Sequence, residues 1–380
     1  MKDEILSAIN LWDNIIGWEQ ELMGIEDVRP TQVNNHLFAI SPEGAYMWAS
    51  DYRIAFVYTY LENILLYDKG MSAKDNAWGP AHEIGHIHQL AIDWPSSTES
   101  SNNLFSNFIL YKLGKYCSRG TELNLPKAAD NRTTNSEGNI TGMTLSEAHC
   151  VLNRPWCNFG SNYQGENTEL HMRMNWQLWN YYHRCGHKTD FWQRLFKLMR
   201  ENRTSSNNPG VKQLLFARMA SEAAQEDLTE FFEMWGFFVT VDTQIDQYGS
   251  YQYTVTKEMI ENAKKAMAKY PKKAKPFYYL EDRKKGDIGL DTTPPDVGHY
   301  TQFQRIRPIT KDIKGNINGR EVSITNGDEA VAFELREKDA NGKLLYFSTF
   351  IKFEVPLTVS LTYAKLYAVQ ADGKRILLEE

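Results

Sequence analysis

Through most of residues 1 to 270, apolar residues recur at three- and four-residue spacing, the pattern of helices that bury one face. The stretches ELHMRMNWQLWNYYHRCG, DFWQRLFKLMREN, VKQLLFARMASEAA and DLTEFFEMWG each carry this period and predict helices. Residues 36 to 58, HLFAISPEGAYMWASDYRIAFVY, interrupt it with apolar runs around Pro42, Glu43 and Gly44, which predicts a hairpin or neighbouring strands. Next come a helix through AWGPAHEIGH, a stop at Pro95, a helix from about Thr98 to Leu113 ended by Gly114, and a polar, turn-rich loop around 118 to 142. After GDIGLDTTPPDVG the pattern shortens to EVSITN, AVAFELREK, LLYFSTFIKF, AKLYAVQ and RILL, joined by turn signals such as NG and ADGK. The expected fold class is α+β: a mainly helical domain with a small β-sheet over residues 1 to 290, followed by a small antiparallel β-sandwich over 291 to 380.

Composition narrows the function classes. A chain of 380 residues exceeds one small core, and 42 % hydrophobic with 24 % charged residues is the balance of a globular protein. The formal net charge of −6 gives no electrostatic reason to expect a nucleic acid or an anionic membrane as partner. A lysine run over 264 to 285 reads as a solvated helix end and linker, because acidic residues follow at once. The start, MKDEILSAINLW, has acids where a signal peptide needs a cationic end, and no stretch reaches membrane-spanning length. Cys117, Cys150, Cys157 and Cys185 form no CxxC pair, so neither a cysteine zinc site nor a redox motif is indicated.

One motif carries chemistry. His82, Glu83 and His86 spell HExxH. On a helix, residues i and i+4 lie about 40° apart around the axis, so both imidazoles can face one ion, and Glu83 sits about 100° from His82. An ion polarises a water, and a carboxylate so placed can take its proton as the water attacks a carbonyl. Alone, the motif arises by chance on the order of once per hundred chains of this composition. A third ligand separates a site from a coincidence. The extended HExxHxxGxxH form fails, since Gln89 and Ile92 stand where Gly and His are needed. Glu99 can fold back from the start of the next helix, and it competes with a capping box in which Ser96, Ser97, Thr98 and Glu99 merely close a helix end. Asn103, on the same helix face, can fix a ligand histidine through a hydrogen bond. His88, about 240° around the helix from His82, points elsewhere.

The words HEIGHIHQ and TESSNNLFSNF, with HMRMNWQLWNYY, DFWQRLFKLMRE and DLTEFFEMWGFFVT downstream, resemble the M60-like (enhancin-type) zinc metallopeptidases over most of residues 30 to 245. The resemblance implies a gluzincin-like domain with Zn2+ on His82, His86 and Glu99, and Glu83 as general base. It also implies an endopeptidase acting on O-glycosylated, mucin-like glycoproteins, secreted or displayed by bacteria, with an Ig-like module at the C-terminus. The oxyanion donor is open among Tyr163, His171, Tyr182 and His183, and Trp48, Trp78, Trp94 and Trp156 are candidate rings for a glycan, each with core packing as its alternative. The strand from Tyr46 to Phe56 can take substrate by edge pairing. The competing function is a non-catalytic glycan- or mucin-binding surface protein with a structural or residual metal site.

Overall fold

The computed structural model describes residues 2–25, 37–41, 46–50, 53–115, 133–134, 140–141, 168–273, 275–280, 299–355, 357 and 359–378. The turn-rich loop expected at 118 to 142 lies almost wholly outside this set, and Trp156, Tyr163, Cys117, Cys150 and Cys157 lie outside it too.

Helix α1 (Lys2–Met23) packs against the HExxH helix α2 (Trp78–His88) and against α4 (Asn103–Lys112). Its buried stripe includes Leu11, Trp12, Ile15 and Leu22, spaced as an amphipathic helix requires. The expected strands form a three-stranded sheet in the order β1 (Leu37–Ser41), β3 (Arg53–Val57), β2 (Met47–Ser50). β2 and β3 pair antiparallel, whereas β1 runs parallel to β3, so only β2–β3 is a hairpin. Ile54, Ala55 and Phe56 are fully buried in the central strand. Among the described residues β2 pairs on one side alone, leaving an open edge beside α2.

Two glycines of α2 set how closely its neighbours approach. A Cβ on Gly79 would stand 2.7 Å from Met47 Cε of β2, and one on Gly85 would stand 3.0 Å from the Asn102 carbonyl oxygen and 3.3 Å from Phe105 Cβ. The edge strand and α4 therefore close on opposite ends of the histidine helix.

Helices α5 (Thr168–Trp179), α6 (Phe191–Glu201), α7 (Pro209–Ala224) and α8 (Thr229–Met234) fall where the apolar period predicts them. Their aromatic side chains fill the interior, with Trp176 stacked on Trp179 at 4.5 Å and Trp94 against Phe216 at 5.4 Å. One element departs from the helical expectation. Val241–Asp246 (β4) and Ser250–Val255 (β5) form an antiparallel hairpin, for which the alternation in VDTQIDQYGSYQYTV and Gly249 supply the signal. Helix α9 (Lys257–Met267) follows, and the lysine run is partly paired within the chain, Lys264 with Glu233 and Lys273 with Glu226.

From Lys314 onward the chain forms two antiparallel sheets. One has the order β9 (Leu344–Ser348), β8 (Ala332–Glu337), β11 (Ala364–Val369), β12 (Arg375–Leu377); the other has the order β10 (Lys352–Glu354), β7 (Glu321–Thr325), β6 (Lys314–Asn318). Val322, Ile324 and Phe353 meet Phe333, Leu335, Tyr346 and Leu366 between the sheets. The outer face of the first sheet is not free: Val331, Ala332, Phe347 and Val369 belong to the same continuous core as the helical domain. Within it Glu334, fully buried, accepts from Tyr279 Oη at 2.7 Å and from Arg375 Nε at 2.5 Å, and pairs with Arg336.

Candidate metal centre

His82 and Glu83 lie in the second turn of α2, near its middle, and His86 follows one turn later. Pro80 near the start of α2 is placed where a missing N–H costs the helix nothing. The third residue arrives through a tight turn. Ser97 Oγ donates to the Trp94 carbonyl at 3.0 Å and accepts from Trp94 N at 3.1 Å, while Thr98 Oγ1 donates to Asp93 Oδ1 at 2.8 Å. Trp94, 1 % exposed, anchors the turn in the core. The helix expected from Thr98 to Leu113 runs instead as α3 (Thr98–Ser101) and α4. At their junction Asn103 Nδ2 donates to the Glu99 carbonyl at 2.9 Å, a side-chain bond that competes with the helical ladder.

Glu99 is not a capping residue. No side-chain cap closes α3, and the Glu99 carboxylate turns toward the histidines, with Oε2 3.5 Å from His82 Nε2 and 3.6 Å from His86 Nε2. One atom from each of the three residues lies within 4.8 Å of the others, the one such group of His, Cys, Asp and Glu among the described residues.

The far side of each imidazole is also held. His82 Nδ1 lies 2.7 Å from Asn103 Oδ1, an acceptor that requires the proton on Nδ1 and leaves Nε2 as a lone pair. The Gln89 amide lies 2.9 Å from His86 Nδ1 through Nε2 and accepts from Ser101 Oγ at 2.6 Å through Oε1. A half-turn of that amide exchanges its ends at no steric cost. The tautomer that frees His86 Nε2 is the one with Gln89 Oε1 on Nδ1–H and Nε2 on Ser101 Oγ. Asn102 Nδ2 stands 3.0 Å from His82 Nε2 and 2.9 Å from His86 Nε2. Both imidazole lone pairs thus converge on one donor, as they would on a cation, and a His2Glu set is one that zinc takes in hydrolases. The residues fit a metal ion.

If Asn103 holds His82 for a ligand, Asn103→Ala should weaken metal affinity by roughly 10- to 100-fold with the fold intact. Competition against a chromophoric chelator measures it; unchanged affinity would reduce Asn103 to a helix-bending residue.

Electrostatics separate the two carboxylates. Burial disfavours ionisation of Glu99, but the neighbouring imidazoles of His82 and His86 and the hydrogen bond from Tyr248 outweigh it and hold the carboxyl well below the usual range. Burial dominates at Glu83 and pushes its carboxyl up to about 7, a rise that Glu99 reinforces and His82 opposes. A cation at the site would lower it again.

His88 faces the opposite way, as its angle on the helix predicts, and bonds through Nδ1 to the buried Glu19 Oε2 at 2.7 Å. That bond ties α1 to the back of α2. The described oxyanion candidates do not gather at the site: Tyr182 lies in the core, and His183 Nδ1 lies 3.3 Å from the Thr189 carbonyl. His171 is buried near Ser96, and desolvation lowers its pKa to about 3. Of the described tryptophans, Trp94 and Trp78 are core, Trp78 stacking on His82 at 5.1 Å, while Trp48 is half-buried with Arg53 over its ring at 4.7 Å. The residue brought instead to the site is Tyr248, whose hydroxyl donates to Glu99 Oε1 at 2.5 Å. It lies 149 residues away, and no local spacing connects the two.

The model of the family described as peptidase M60, enhancin and enhancin-like, matches residues 2–236. The chain belongs to the M60 peptidase family. The model of the peptidase M60 C-terminal domain matches residues 312–377, the two-sheet region. Among solved structures, a metallopeptidase from Bacteroides thetaiotaomicron is 62 % identical with a TM-score of 0.81, covering 98 % of this chain and 61 % of that one. A metallopeptidase in complex with Tn antigen is likewise 62 % identical with a TM-score of 0.81, covering 98 % of this chain and 67 % of that one. A TRPM8 channel-associated factor homolog of Xenopus laevis is 25 % identical over 243 residues, which is 61 % of this chain and 23 % of that protein. The chain thus spans about a quarter of that relative's length and 61 to 67 % of these two metallopeptidase structures. The mixed helical and sheet fold with its small antiparallel C-terminal domain is the M60 arrangement.

Proposed function

We propose that the chain is a zinc-dependent endopeptidase of the gluzincin type that cleaves O-glycosylated, mucin-like protein. The observation that carries this reading is the approach of His82, His86 and Glu99 side-chain atoms to within 4.8 Å, with the buried Glu83 on the same helix and outside that set. A structural site has no use for a buried carboxylate beside it. Zinc, when held there, makes a water acidic near neutral pH and polarises a carbonyl. Glu83 accepts the proton at its carboxylate and returns it to the leaving nitrogen. Asn103 Oδ1 keeps the His82 proton on Nδ1, and Gln89 does the same for His86 when its amide is turned to present Oε1, so that both Nε2 atoms face inward. The open edge of β2 offers main-chain groups to an extended peptide alongside α2.

The glycan part of the proposal is supported by the Tn antigen held in the 62 % identical structure, and a protein with such substrates works outside the cell, secreted or at a bacterial surface. Among the described residues no helix is long and apolar enough to cross a membrane.

The test uses the purified chain with O-glycosylated proteins and their enzymatically deglycosylated forms, with and without chelator, and mass spectrometry of the fragments. Cleavage that needs both the glycan and the metal is the expected result. Equal cleavage of deglycosylated protein removes the glycan requirement. Retention of mucin without cleavage by zinc-loaded chain overturns the peptidase reading in favour of a binding protein.

A further inference from the structure

The hairpin β4–β5 lies between the stretches that the two M60 models match, and it reaches the metal centre from outside the helical segment that builds it. Its stem is fixed. Asn208 Oδ1 accepts from Thr254 N at 3.0 Å while Asn208 Nδ2 donates to the Thr254 carbonyl at 2.9 Å. Tyr253 Oη bonds to Gln213 of α7, and a Cβ on Gly210 would lie 2.3 Å from the Thr254 oxygen, so helix and strand touch backbone to backbone.

The tip is bound to the turn that delivers Glu99. Gln247, 6 % exposed, accepts from Ser96 N through Oε1, and Tyr248 Oη donates to Glu99 Oε1. Both sides of this contact are held in left-handed backbone: Ser96 at φ 98° and Tyr248 at φ 53°. Neither is a glycine, and such conformations persist where surrounding contacts over-determine them, commonly at working sites. The ring of Tyr248 is 72 % exposed, so burial of apolar surface does not account for its position.

Glu99 has two oxygens, and the structure divides them: Oε2 faces both histidines, and Oε1 faces the phenol. We propose that Tyr248 is a positioning residue that, by engaging Oε1, restricts Glu99 to a single ligand oxygen and keeps the remaining coordination space free for water and a substrate carbonyl. A carboxylate released from the phenol can swing to bind through both oxygens, filling that space. Gln247 holds the tip where the phenol can reach. This assignment rests on the metallopeptidase reading above.

The test replaces the metal by cobalt(II) in wild type, Tyr248→Phe and Gln247→Ala, and records the visible spectrum without substrate, then kcat and KM of the zinc-loaded forms. Four-coordinate cobalt gives intense visible bands and five-coordinate cobalt gives weak ones. The expected result is stoichiometric uptake by all three, weaker bands in both variants, and a loss of roughly 10- to 100-fold in kcat with KM little changed. Tyr248→Phe keeps the ring and removes one exposed hydroxyl, so its fold is not at risk. A Tyr248→Phe spectrum identical to wild type overturns the assignment, and if kcat has fallen as well, the phenol acts on the substrate rather than through Glu99. A wild type that takes up no cobalt removes the metallopeptidase reading together with this one, which distinguishes the two failures.

Discussion

Glu83→Gln is expected to lower kcat by roughly 10²- to 10⁴-fold while zinc remains bound at one per chain, the range for removing a general base. At about 1.4 kcal/mol per tenfold, this is about 3 to 6 kcal/mol of lost transition-state stabilisation. The substitution isolates that role. Glutamine has nearly the volume of glutamate, Glu83 is 6 % exposed in a packed helix, and the ligand atoms of His82, His86 and Glu99 are untouched. Burial keeps the Glu83 carboxyl up to about 7 in the ion-free chain, so the neutral amide enters an environment that already tolerates the uncharged form. Metal analysis and steady-state kinetics on the same preparation decide it. A variant retaining more than a tenth of wild-type kcat places the base elsewhere, and a variant that loses its zinc shows that Glu83 supports the ligand set instead.

The second large effect is expected far from the metal. Glu334→Ala should destabilise the protein by about 3–5 kcal/mol, because it leaves Arg336 and Arg375 without their shared buried carboxylate. Tyr279 of the helical domain loses its acceptor at the same time. Urea unfolding followed by tryptophan fluorescence measures the loss; a change below about 1 kcal/mol would mean that the cluster is as weak as an exposed ion pair.

The same cluster gives a pH dependence with a definite sign. Burial opposes ionisation of Glu334, yet hydrogen bonds and charge from Arg336 and Arg375 more than offset it and hold its carboxyl below the ordinary value of 4.5. A carboxyl lowered in the folded state contributes stability that is complete above its unfolded value and lost as pH falls below that value toward the folded one. The cluster's contribution should therefore be intact at neutral pH and decline only on acidification below about 4.5. Comparing wild type with Glu334→Ala by thermal melting along an acid series isolates it: the difference between the two should shrink toward low pH.

Much of this site is local and therefore legible in one dimension. HExxH places its three residues by helical geometry alone, and Asn103 is one helical turn beyond Glu99, so periodicity names both. The strand alternation beyond Lys314 and the angle of His88 away from the ligands are local in the same sense. The hairpin at 241 to 255 was equally local, but its alternation is embedded between strong helical stretches, and a helical reading of the whole half passes over it.

Tertiary structure decided what spacing leaves open. S-x-x-E leaves open which way the Glu99 side chain turns, and the structure turns it away from the helix end, toward the two imidazoles and Tyr248 Oη. Asn102 meets His82, and Ser101 meets Gln89, only when α2 closes on the segment that follows Glu99, across Gly85. Glu19 meets His88 across 69 residues, and Tyr279 meets Glu334 across 55. The sequence by itself determined which helix carries the chemistry and which residues can serve it, since helix and strand periods are written in neighbouring positions. Which oxygen of Glu99 faces the histidines, and which domain surface Glu334 secures, depend on contacts between distant segments, whose packing leaves no period along the chain.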